Sequence, residues 1–224
     1  MTHTHPSSPS KHVKSHAIEI DPHSRESLGY ERLVFFSDAV FAIAITLLAL
    51  DIRLPSGREV LTNRDLLRAL LDLQSNYLAF MISFLVIGST WVRHHQRFAI
   101  FRQYNTRLIW LNLFLLMGVA FMPFPTAVLA EYGNRTATIF YALTISAIGL
   151  TQLLIWWYAA SGNRLLDPTT TTKQIRHEML SSLATPAVFI LSIGVAFFND
   201  NLARLSWLLL IPVMILLRNL TPRA

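Results

Sequence analysis

Apolar residues run through this chain in long blocks separated by short polar stretches. The blocks cover about Leu33–Leu54, Leu73–Trp91, Leu108–Leu129, Thr138–Tyr158, Leu180–Phe198 and Leu202–Leu217. A helix needs roughly 20 residues to cross about 30 Å of hydrocarbon, and most of these blocks approach that length, while the last is short. The strict alternation that a closed membrane β-barrel requires is absent. The pattern predicts an all-α membrane protein with six transmembrane helices per subunit. Pro123, Pro125, Pro186 and Pro212 fall in or near spans, where neighbouring helices can re-satisfy the freed carbonyls.

Residues 1–27 stand apart: they are polar, rich in His, Ser and Pro, and have no apolar core. That excludes a secretory signal peptide and reads as a disordered tail. Its His3, His5, His12, His16 and His23 do not complete a coordination shell with a second cluster, so a solvated tail is preferred to a metal site. Residues 28–220 form the six-span domain, and 221–224 a short C-terminal tail.

Composition agrees with the pattern. Apolar side chains make up 53% of the chain and charged ones 14%, against about 25% charged in soluble domains. The net charge of +6 sits between apolar spans, so it speaks to topology and not to nucleic acid. Lys and Arg are more numerous on the side that holds the N-terminus (among them Arg93, Arg97, Arg102 and Arg107) than on the other (among them Arg53, Arg58, Arg64 and Arg68). The bias places both termini in the cytoplasm of a cell-membrane protein, with the arginine-rich first outer loop as its weak point. The absence of cysteine excludes disulfides, thiolate metal sites and cysteine catalysis. No two spans repeat, as the halves of an inverted-repeat transporter do, so a pore is expected around an oligomer axis.

The first span carries the most specific chemistry. At about 100° per residue, Arg32, Phe36, Ala39, Ile43, Leu47, Leu50 and Leu54 form one stripe, with Thr46 on its edge. Asp38 projects roughly 140° away from Ile43, and Ser37 also lies on the far side. An ionisable group inside a span costs roughly 2.5–3.5 kcal/mol on insertion scales, so it needs partners. Trp91 and His94 share one side of the second span and Asn112 lies early in the third, all at the depth of Asp38. A hydrogen-bonded cluster of Ser37, Asp38, Trp91, His94 and Asn112 would hold the helices together, making Asp38 a scaffold residue and not an ion ligand.

These residues resemble the transmembrane protein 175 family of potassium channels, in its prokaryotic single-repeat form. The first-span signature reads Arg32, Phe36-Ser37-Asp38, Ile43, Thr46 and Leu47. Two further patches carry the likeness: Trp91-Val92-Arg93-His94-His95-Gln96-Arg97-Phe98, and Leu111-Asn112-Leu113 followed by Phe121-Met122-Pro123-Phe124. The resemblance implies a homotetramer of six-span subunits in the lipid bilayer whose first helices line a central pore for monovalent cations. It also implies a hydrophobic constriction at Ile43, further narrowing at Leu47 and Leu50, a threonine layer at Thr46 linked to selectivity, and Arg32 and Phe36 within the polar network. The chain lacks the Thr-Val-Gly-Tyr-Gly filter of ordinary potassium channels. Selectivity from side chains and pore width discriminates less sharply than carbonyl rings, so moderate potassium selectivity is expected, with no cofactor beyond the permeant ion.

Other readings are weaker. Asp51 could attract cations at the outer mouth or pair with Arg53. His94 and His95 could relay protons or bind a metal, but a packing histidine beside an interfacial one explains them better. Motifs for zinc hydrolysis, nucleophile elbows and phosphate loops are missing, so an enzyme is not expected. A secondary transporter with Asp38 as its coupling carboxylate is the alternative to a channel.

Overall fold

The computed structural model describes residues 22–54, 62–163, 165–210, 212, 213 and 216. These residues form helices α1 (Pro22–Leu47), α2 (Asn63–Asp72), α3 (Gln74–Phe98), α4 (Thr106–Phe121), α5 (Pro123–Tyr132), α6 (Arg135–Ala160), α7 (Thr172–Ala196) and α8 (Asp200–Ser206). One-turn 3-10 segments extend α1 through Asp51 and α8 through Leu209.

Among the described residues, five stretches are long and apolar enough to cross a membrane: Leu28–Asp51, Gln74–Phe98, Thr106–Tyr132, Arg135–Ala160 and Thr172–Ala196. The chain is a multi-span helical membrane protein. Of the expected sixth span, α8 and its 3-10 extension supply the start, and most positions beyond Leu210 lie outside the described residues. His3, His5, His12 and His16 of the expected tail also lie outside them. The helix itself begins at Pro22, inside the segment expected to be tail. Proline suits a first helical turn because its missing N–H has no partner there anyway.

Two span boundaries move for physical reasons. The third span is two helices, α4 and α5, because Pro123 cannot donate to the preceding turn; Met122 N–H closes α4 on Val119 at 3.1 Å and the chain continues helically. The second span runs past Trp91 to Phe98, since Arg93, His94 and Arg97 are buried against other helices. Arg93 and Arg97 are thus helix residues and do not count as loop charges. Arg64 and Arg68 of the first outer loop sit on α2, an amphipathic helix capped by Thr62.

The core centres on α6, half of whose most apolar stretch is buried, against 28% for α1. α6 packs on α7, α4 and α5. Close approach of α6 and α7 depends on Gly149, where a Cβ would meet the Pro186 ring at 2.8 Å. Tyr141, Phe189 and Trp207 form an aromatic cluster on one side of α6. On the other side α1 packs on α4 and α3. Two connections meet at one end of the bundle, where Arg102 N–H reaches Leu165 at 2.9 Å and Asp167 N–H reaches Ile100 at 3.0 Å. The Asp167 carboxylate accepts from the hydroxyl and N–H of Thr169, which holds its pKa below the usual carboxylate range, with Arg102 adding to the effect.

Candidate functional site

α1 has two opposite surfaces. Ser37, Phe41, Ala44 and Leu48 recur at helical spacing and are buried to 1% exposure or less. The stripe of Phe36, Ile43, Leu47, Leu50 and Leu54 lies opposite and is uncovered in the single subunit, with Ile43 58% and Leu50 55% exposed. Arg32 and Ala39 share that exposure. Thr46 is exposed beside the stripe and donates its hydroxyl to the Ile43 carbonyl at 2.8 Å. Its proton is thus committed to the helix, and the oxygen keeps its acceptor capacity.

The polar residues behind α1 form two separate systems, where one cluster around Asp38 was expected. Asn112 Nδ2 donates to Ser37 Oγ at 2.8 Å, and Ser37 donates to the Leu33 carbonyl at 2.8 Å. That leaves Asn112 Oδ1 to accept from His94 Nε2 at 2.9 Å, which places the imidazole proton on Nε2. All three side chains are almost fully buried, and His94 also stacks on Phe98 with centroids 4.1 Å apart. Asp38 lies outside this chain of bonds: half-buried, it accepts from Trp91 Nε1 at 2.8 Å, and Trp91 is itself more than a third exposed. The division follows from helix geometry. Ser37 points squarely at α4, and the next residue is rotated by about 100° toward the edge of the subunit. Arg32 and Phe36 join neither system and stay on the exposed stripe. At the other end of α1, Arg53 Nε donates to the Leu50 carbonyl at 2.6 Å and not to Asp51.

Three further polar links were not anticipated. Arg97 is 2% exposed and reaches Glu178 at 3.1 Å, Ser182 at 2.5 Å and the face of Trp156 at 5.7 Å. Ser83 bridges Thr126 and Tyr141, both at 2.8 Å, deep in the bundle. Gln152 Nε2 donates to the Thr90 carbonyl at 2.9 Å. The only advance sign of the first link was the placement of Arg93 and Arg97 one turn apart at the end of an apolar run. Among the described residues no three His, Asp or Glu side chains group as metal ligands.

Comparison with known proteins decides the family. The chain is 38% identical over 176 residues to a potassium channel of Streptomyces collinus, an alignment covering 76% of this chain and 84% of that protein. The chain belongs to the TMEM175 family. A potassium channel of Chamaesiphon minutus is 43% identical over 152 residues, covering 66% of this chain and 72% of the relative. The family model described as endosomal/lysosomal potassium channel TMEM175 matches residues 32–123, which hold α1, the Ser37–Asn112–His94 chain and the Asp38–Trp91 pair. The crystal structure of a lysosomal potassium-selective channel TMEM175 homologue from Chamaesiphon minutus superposes with a TM-score of 0.73 at 32% identity, covering 84% of this chain and 97% of that one. TMEM175 proteins are channels, which is not an enzyme class.

Proposed function

We propose that this TMEM175 protein is a subunit of a homotetrameric, moderately potassium-selective cation channel of the cell membrane, with both termini cytoplasmic. The observation that carries the reading is the stripe of Ile43, Leu47 and Leu50 on α1. It is apolar and uncovered, while the opposite face of the same helix is locked to α3 and α4. Four such stripes around an axis make an apolar constriction that water enters reluctantly, so Ile43 serves as a gate held closed by dewetting. Thr46, one helical turn further along, offers a hydroxyl oxygen to a partly dehydrated cation or to its water. The Ser37–Asn112–His94 chain and the Asp38–Trp91 pair fix the rotation of α1 so that this stripe faces the axis. The partly exposed Asp38–Trp91 pair lies at the subunit edge, where a neighbouring subunit covers it.

A transporter using Asp38 as a coupling carboxylate is less well supported, because Asp38 is bonded to Trp91 and turned away from the stripe. Recording purified protein in a planar bilayer under a potassium–sodium gradient tests the proposal. Single-channel currents with a reversal potential displaced toward potassium are expected; transport at turnover rates with obligatory coupling would refute it. Native mass spectrometry showing only monomers or dimers would refute the tetramer.

A further inference from the structure

The connection between the first and second spans carries α2, and one edge of that helix is uncovered in the single subunit. Ala69 and Leu73 are buried where α2 packs on α3. At about 100° per residue, the surface leading away from them passes Leu66 and Leu70, then Leu67 and Leu71, then Arg64 and Arg68. Asp72 and Asp65 close the circle beside Ala69. The acids therefore lie toward α3, and the arginines border the leucines that α3 does not reach. Those leucines are open: Leu67 is 59% and Leu71 64% exposed.

Position decides what meets this edge. Only Leu73 separates α2 from Gln74, where the second span begins. Leu73 N–H donates to the Leu70 carbonyl at 3.3 Å, and the Leu73 carbonyl accepts from Tyr77 N–H at 3.0 Å, so the two helices join without slack. Tyr77 is 37% exposed, and a tyrosine at the end of a span sits at the headgroup level. The far end of α2 is fixed by Thr62, whose hydroxyl accepts from Asp65 N–H at 3.3 Å and donates to the Asp65 carboxylate at 2.6 Å. An ordered amphipathic helix is thus held at the membrane boundary, its open leucines edged by arginine and not by acid. A basic amphipathic helix of this kind lies in the interface plane, and guanidinium matches phosphate oxygens. We propose that α2 docks on the phospholipid headgroup layer, with Leu67 and Leu71 at the acyl boundary and Arg64 and Arg68 on lipid phosphates. The docking stands independently of ion conduction.

The test is electron paramagnetic resonance of the full-length protein in vesicles, with one spin-labelled cysteine introduced into this cysteine-free chain. Labels at Leu67→Cys and Leu71→Cys are compared with a polar control at Asp65→Cys. Collision with oxygen, which concentrates in lipid, is measured against collision with a nickel chelate, which stays in water. In vesicles of phosphatidylcholine and phosphatidylglycerol the two leucine-site labels should favour oxygen and the control should favour nickel. Adding Arg64→Gln and Arg68→Gln together should lower the ratio of immersed to water-exposed label about 30-fold, from ~1 kcal/mol per basic residue near an anionic surface. Leucine-site labels that favour nickel, or an unchanged ratio in the double variant, would overturn the proposal. So would spin–spin broadening at Leu71→Cys with few collisions of either reagent, which would show a second copy covering the edge.

Discussion

Replacing Asn112 with alanine removes a side chain that joins α1 to α3 through α4. Asn112 is fully buried and makes two interhelical bonds, to Ser37 at 2.8 Å and from His94 at 2.9 Å. Interhelical hydrogen bonds in membranes average about 0.6 kcal/mol, which sets a floor of ~1.2 kcal/mol for losing both. The substitution also strands the buried His94 N–H, and a buried group left unsatisfied costs about 1–3 kcal/mol. Ser37 keeps its bond to the Leu33 carbonyl and suffers less. A loss of about 2–4 kcal/mol is expected, and at about 2–4 °C per kcal/mol for a chain of this size the unfolding midpoint should fall by about 4–16 °C. Thr144→Ala is the control: its hydroxyl bonds only the Phe140 carbonyl of its own helix at 3.0 Å. That change should stay within about 0.5 kcal/mol. Thermal unfolding of the detergent-solubilised protein followed by tryptophan fluorescence measures both. If Asn112→Ala melted within a degree or two of Thr144→Ala, the buried chain would carry no scaffold role.

Thr46→Val keeps the shape of the side chain and removes its oxygen, so the potassium-over-sodium preference should drop; an unchanged reversal potential in mixed ions would assign Thr46 to packing. Asp38→Ala removes the acceptor of Trp91 and should lower tetramer stability by less than Asn112→Ala does, leaving ion preference intact. A normal tetramer with inverted selectivity would move Asp38 into the pore. The Asp167 carboxyl is held low by Thr169, so its contribution is complete above the ordinary carboxylate pKa and is lost as pH falls through the depressed value. Proteolytic nicking of the Asp167–Thr170 turn should therefore rise only under strong acid and shift to milder acid in Thr169→Val; nicking that already rises near neutrality would contradict this.

The two faces of α1 were legible in the sequence because side-chain direction along a helix is fixed by spacing alone. Ile43, Leu47 and Leu50 fall where helical projection puts them, on the face that packing leaves open. The identity of each partner was less legible. Ser37 and Asp38 are adjacent, and which of them meets Asn112 depends on a helix rotation set by Phe41, Ala44 and Leu48 packing behind them. Asp38 looked like the hub because charge dominates a reading by residue type; the neutral hydroxyl took the buried position, where a carboxylate would have been costlier. Arg97 and Glu178 are separated by 81 positions, and no local pattern pairs them. The break at Met122 was foreshadowed by Pro123, but its smooth continuation into α5 depends on the conformation of Met122 and the Thr126 bond back to it.

The central claim is that the Ile43 face of α1 lines the conduction path. The chain contains no cysteine, so one introduced thiol is the sole soft metal ligand of its kind. Ile43→Cys and Ile45→Cys place it on the exposed stripe and on the face packed against the core, respectively. The measurement is potassium current through each variant in a bilayer before and after cadmium. Cadmium should block Ile43→Cys, where four thiolates converge on the axis, and leave Ile45→Cys conducting. Equal block of both, or uninterrupted current through Ile43→Cys, would contradict the account.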